Sequence, residues 1–149
     1  MICACSNIFT TSLLIWRIYM ITKDLENVIE KYKITETSNI IYGTNISMPN
    51  AVIPTPWKTY IRFDQTETYF FLFNDKGISI YQTKGESYAF LPWEEIEDLK
   101  ISHFLIIGKL QIKTKNATYK FQLNRFVIGC PWIKNNTRYL EDNKYFYHK

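Results

Sequence analysis

The chain has 149 residues, of which 46% are hydrophobic, 17% aromatic and 21% charged, with a formal net charge of +4. That is the size of one domain, and so apolar a chain is not disordered overall. With 5 Gly and 5 Pro it is not collagen-like or low-complexity either. The charge is uneven: residues 1–106 carry 9 basic and 12 acidic side chains, and residues 107–149 carry 9 basic and 2 acidic. Such asymmetry marks either a polyanion-facing surface or a solvated face. Ile, Asn, Lys, Tyr, Phe and Met fill 70 positions, and their AT-rich codons point to a bacterial or phage source.

Residues 1–16 carry no charge and are rich in Ile, Leu, Phe and Trp. Arg17 falls inside the roughly 20-residue window that a membrane-spanning helix needs. No basic segment precedes the apolar run, so it does not read as a secretory signal. Residues 1–19 therefore read as an upstream extension or start-site artefact, a membrane anchor, or a folded N-terminal element; the domain proper is taken as 20–149. Cys3 and Cys5 lie in this segment and Cys130 stands alone. No disulfide framework can be drawn, which fits a reducing, cytoplasmic compartment, membrane-associated if residues 1–19 are an anchor.

Residues 22–34 predict an amphipathic helix, because Leu25, Val28, Ile29 and Tyr32 recur at helical spacing, with Thr22 as its cap. From residue 39 the period becomes two. Asn39–Ile46 reads as a strand, and Pro49, Pro54 and Pro56 make 47–58 a loop. Strands follow at 60–63 and 68–73, then a turn at Asn74-Asp75-Lys76-Gly77, a returning strand at 78–82 and another at 88–91. Pro92-Trp93-Glu94-Glu95-Ile96 is a tight corner. Strands at 96–103, 106–114 and 117–124 complete the set. In the last two, Leu110, Ile112, Tyr119, Phe121 and Leu123 alternate with polar and lysine residues, the pattern of a sheet with one wet face. Residues 130–143 predict a second helix with Pro131 in its first turn. Trp132 and Tyr139, with Asn136, share a face, and Ile133 and Leu140 lie alongside.

About seven antiparallel strands followed by an amphipathic helix predict a mainly β (α+β) fold. The sheet is strongly bent, an N-terminal amphipathic helix precedes it, and the C-terminal helix stoppers one end, with Trp93 and Trp132 as structural caps. The run Phe70-Phe71-Leu72-Phe73-Asn74-Asp75-Lys76-Gly77-Ile78, then Phe90-Leu91-Pro92-Trp93-Glu94-Glu95-Ile96, then Leu110-Gln111-Ile112 resembles bacterial PH-like domains of the YokE-like and GRAM-like kind. The likeness covers about 55 residues. It departs at Lys76-Gly77, where many members have an Arg followed by an aliphatic residue. The resemblance implies a PH-like barrel and a small binding module with no catalytic set.

Chemistry-bearing patterns are sparse. Glu94, Glu95, Glu97 and Asp98 are crowded on one corner rather than paired across a cleft. His103 and His148 have no neighbouring Cys, so no metal is expected. Cys130 at a helix start could pair with His103 as a nucleophile, but a structural thiol is the plainer reading. No glycine-rich phosphate loop is present, so no cofactor and no enzymatic activity are expected. The strongest candidate is the basic face of Lys109, Lys113, Lys115 and Lys120, suited to lipid phosphates or simply to water. Nucleic acid is disfavoured, because Tyr119 and Phe121 point to the opposite face and Arg is scarce. The expected function is a non-enzymatic module that docks a protein partner on a sheet edge or on loop 47–58. The alternative is a peripheral binder of anionic phospholipid through the lysine face.

Overall fold

The computed structural model describes residues 6–45, 51–54, 60–63, 68–83 and 87–148. In chain order the elements are α1 (Ser6–Tyr32), β1 (Ile40–Asn45), β2 (Ala51–Pro54), β3 (Tyr60–Phe63), β4 (Thr68–Asn74), β5 (Gly77–Gln82), β6 (Tyr88–Pro92), β7 (Ile96–Phe104), β8 (Ile107–Thr114), β9 (Thr118–Asn124) and α2 (Pro131–Asp142). A short turn, Lys144–Phe146, follows. Seven strands form one antiparallel sheet in the order β6-β5-β4-β1-β9-β8-β7, and β2 pairs with β3 in a separate ribbon.

That order forces the sheet to curl. Its two edge strands, β6 and β7, are consecutive in the chain. In a flat sheet the six inter-strand steps would separate them by roughly 29 Å. The chain from Pro92 to Ile96 spans at most about 14 Å, so the edges must approach each other at this corner. Trp93 holds it: its backbone N–H donates to Lys76 O at 3.1 Å and its indole Nε1 to Asn74 O at 2.9 Å. Asn74 in turn accepts from the backbone N–H of Lys76 and Gly77 through Oδ1. A Cβ on Gly77 would lie 2.1 Å from Leu91 O, so only glycine lets β5 leave the turn so close to β6.

The curled sheet has two apolar faces. The inner cluster joins Tyr69, Phe71 and Phe73 of β4 to Ile80, Leu91, Ile96, Leu110 and Phe121. The outer cluster joins Ile40, Tyr42, Phe70 and Tyr81 to Ile21, Leu25 and Val28 of α1. β4 is central and covered on both sides, so it reads as an unbroken apolar run. α1 begins at Ser6 rather than at Thr22, a correction with a plain cause. Ile18 and Ile21 extend the stripe of Leu25 and Val28 by another turn onto the domain, so there is an apolar surface to continue along.

Two further expectations are corrected. The 47–58 segment is not all loop: Ala51–Pro54 pairs with Tyr60–Phe63. Pro54 ends its strand in a two-stranded ribbon, where one edge of each strand has no ladder to complete. Pro49 and Pro56 lie outside the described residues. In α2 the buried positions are Ile133, Asn136, Thr137 and Leu140, whereas Tyr139 is exposed. Asn136 donates through Nδ2 to Thr37 O at 2.6 Å and Ile40 O at 2.9 Å, which secures the helix to the start of β1. Leu140 and Tyr145 enter the inner cluster, while Trp132 lies half-buried against Phe70 on the outer one, ring centroids 6.3 Å apart. Lys144, Tyr145 and Phe146 all take positive φ, 50° to 57°. This costs about 1 kcal/mol per residue and is offset by turning Tyr145 back onto Phe73, 5.4 Å between rings.

Candidate functional site

The lysine face lies where alternation places it. On the outer side of β7–β8–β9 the cross-strand register sets Asp98, Lys113 and Thr118 in one row, Lys100, Gln111 and Lys120 in the next, and Ser102, Lys109 and Gln122 in a third. Lys109, Lys113 and Lys120 therefore share one exposed surface, and Lys115 sits in the turn after β8. The surface is not purely basic. Lys113 Nζ lies 3.4 Å from Glu97 Oε2, and Lys100 Nζ lies 3.2 Å from Asp98 Oδ2. Each such exposed pair is worth about 0–1 kcal/mol, but each carboxylate also cancels a charge that a phosphate would use.

The edge of β7 is a different kind of surface. Among the described residues β7, nine residues long, has one neighbouring strand in the sheet, β8. Its other edge faces a groove of about 430 Å³ between Leu99, Ile101 and His103 on one wall and Glu141, Lys144, Tyr145 and Tyr147 on the other. Leu99 and Ile101 point to the inner face but are only half-buried. Alternation made them readable as core. The sequence placed a short strand at 88–91, as observed in β6, but did not show that it and β7 form the two edges of the sheet.

His103 closes one end of this groove. Its Nε2 is 3.4 Å from Glu141 Oε1, yet that oxygen is already taken by the guanidinium of Arg125. Burial and, next, the Arg125 charge outweigh the carboxylate, and the imidazole pKa is lowered from its ordinary value. Cys130 is fully buried in the outer cluster, with Thr22 Oγ1 3.9 Å from its Sγ. His103 and Cys130 thus lie in separate parts of the molecule. Among the described residues no group of three or more His, Cys, Asp or Glu is placed to hold a metal ion, and no helix is long and apolar enough to cross a membrane.

No protein-family model, curated protein or solved structure matches the chain.

Proposed function

We propose that the chain is a non-enzymatic interaction module of the PH-like kind, which docks an extended segment of a protein partner as an added strand on the edge of β7. The observation that carries the reading is the long β7 edge beside the groove lined by Leu99, Ile101, Tyr145 and Tyr147. An extended peptide there would pair its backbone with the exposed N–H and C=O groups of β7. Its alternate side chains would fall into the groove. The PH-like reading is supported by the curled seven-stranded antiparallel sheet, the helix that follows it, and the Asn74–Gly77 turn and Pro92–Ile96 corner. Action in the cytoplasm belongs to the same proposal and is supported by the buried thiol of Cys130.

The alternative, anionic phospholipid held by Lys109, Lys113, Lys115 and Lys120, is weakened by the carboxylates of Glu97 and Asp98 on the same surface. Selection of binders from a random peptide library, followed by chemical-shift mapping on the full chain, tests the main reading. Perturbations are expected at Leu99, Ile101 and Tyr147, with loss of binding in Ile101→Arg. Perturbations confined to Lys109, Lys113 and Lys120, or no selected peptide at all, would reject it.

A further inference from the structure

One end of the molecule carries an apolar surface that nothing in the described residues covers. The β7–β8 hairpin turns at Leu105-Ile106, and Phe104, Leu105 and Ile106 are 77%, 78% and 56% exposed. Consecutive large apolar side chains in water are a liability that a monomeric surface ordinarily avoids. Turn geometry does not explain them. Leu105 has φ 52°, a conformation that Gly or Asn takes more easily.

The tip does not stand alone. Arg125, just after β9, donates from its backbone N–H to Ile106 O at 3.0 Å and from a guanidinium nitrogen to Leu105 O at 3.2 Å. The loop it begins exposes Phe126 and Ile128. At Gly129, φ 82°, that loop passes so close to Ile18 of α1 that a Cβ would lie 2.6 Å from Cδ1. Leu14 and Ile15, one turn before Ile18 on α1, are exposed, as are Trp16 and Tyr19. The loop thus touches the hairpin tip through Arg125 and α1 through Gly129.

Basic groups surround this end. Between the tip and α2 lies a pocket of about 340 Å³ lined by Leu105, Ile106, Phe126, Arg125, Lys134 and Arg138, with Glu141 also in its wall. The Glu141 carboxylate is engaged by Arg125. Arg125 keeps a buried Nε–H with no acceptor among the described residues. Lys134 and Arg138 are one turn apart on α2 and exposed.

We propose that this end adsorbs to an anionic phospholipid membrane. The hairpin tip, with Phe126 and Ile128 of the loop, enters the headgroup–acyl boundary. A lipid phosphate sits in the pocket against Lys134 and Arg138. An apolar protrusion ringed by cations matches a membrane whose interior is apolar and whose surface is negative. The site is separate from the β7 groove and from the outer lysine face, and it does not rest on the strand-addition reading.

Flotation of the full chain with vesicles is the test. Binding is expected to vesicles of phosphatidylcholine with phosphatidylserine at low salt, and at least about tenfold less to phosphatidylcholine alone. Phe104→Asp with Leu105→Asp, both exposed and so compatible with the fold, should lower binding at least about tenfold with unchanged circular dichroism. Lys134→Ala with Arg138→Ala should abolish the preference for phosphatidylserine. Lys113→Ala with Lys120→Ala should float as the unaltered chain does. No flotation with phosphatidylserine would overturn the proposal, as would undiminished flotation of the tip variant or loss of flotation in Lys113→Ala with Lys120→Ala. A lipid-free dimer abolished by the tip variant would also overturn it, assigning the patch to a second copy of the chain.

Discussion

The indole N–H of Trp93 donates to the backbone carbonyl of Asn74 across 2.9 Å, and this bond joins the two turns that bring the edges of the sheet together. The same ring packs against Tyr147, 5.5 Å between centroids. Trp93→Phe retains most of the ring contact and loses the bond. It should cost about 1 kcal/mol of unfolding free energy, read as a lower urea midpoint at unchanged slope. No shift in midpoint would mean that the corner is held by its backbone alone.

Asn136 joins α2 to the chain entering β1 through two bonds to residues almost a hundred positions earlier. Asn136→Leu fits the helix but leaves the carbonyls of Thr37 and Ile40 without their donor. A loss of about 2 kcal/mol is expected. Hydrogen exchange should show α2 opening before the strands do, and uniform loss of protection would contradict this placement.

Gly129 and Ile18 are a coupled pair. Gly129→Ala forces a side chain into left-handed backbone and into the Ile18 side chain, with an expected cost of about 2 kcal/mol. Ile18→Ala made together with it should cost less than the two changes added separately. Strict additivity in a double-mutant cycle would show that α1 does not rest on this loop.

The pH dependence has two limbs with opposite signs. Burial raises the Tyr81 pKa from 10 to about 12, and it also raises those of Tyr42, Tyr119 and Tyr145. The neutral phenols are the form the fold prefers. Their contribution is complete below pH 10 and declines as pH rises from 10 to about 12 for Tyr81. On the acid side the His103 pKa is lowered from 6.5. Its contribution is complete above pH 6.5 and declines as pH falls below that value toward the folded-state pKa. Thermal midpoints measured across this range should fall at both ends. His103→Gln should flatten the acid limb only, and an unchanged acid limb would assign it to the carboxylates.

Most strands were legible because their side chains alternate. Leu110, Ile112, Tyr119, Phe121 and Leu123 could face only one way without burying lysines, and the register observed is the one that alternation requires. Pro92-Trp93-Glu94-Glu95-Ile96 announced a corner, and the structure uses it as one. The lysines Lys109, Lys113 and Lys120 were assigned to one face for the same reason, since period two is a local property of the chain.

What alternation could not reveal is which strands meet. β1 pairs with β4 and β9, residues far apart in the chain, and this pairing sets the strand order in which β7 is an edge. Local pattern likewise grouped Trp132, Asn136 and Tyr139 on one face of α2; Asn136 is buried because the carbonyls entering β1 require a donor there, but Tyr139 is exposed and Thr137 is buried instead. In sequence the apolar residues of the β7–β8 tip read only as the ends of two strands, and those of α1 before Ile18 as part of an extension, an anchor or a folded element. Only the folded sheet showed that it ends before it reaches them. Alternation and helical spacing are written into neighbouring residues, so the chain alone determined its elements and their faces. Exposure depends on which distant segments arrive to cover a face, so tertiary structure alone decided which apolar side chains are left for a partner.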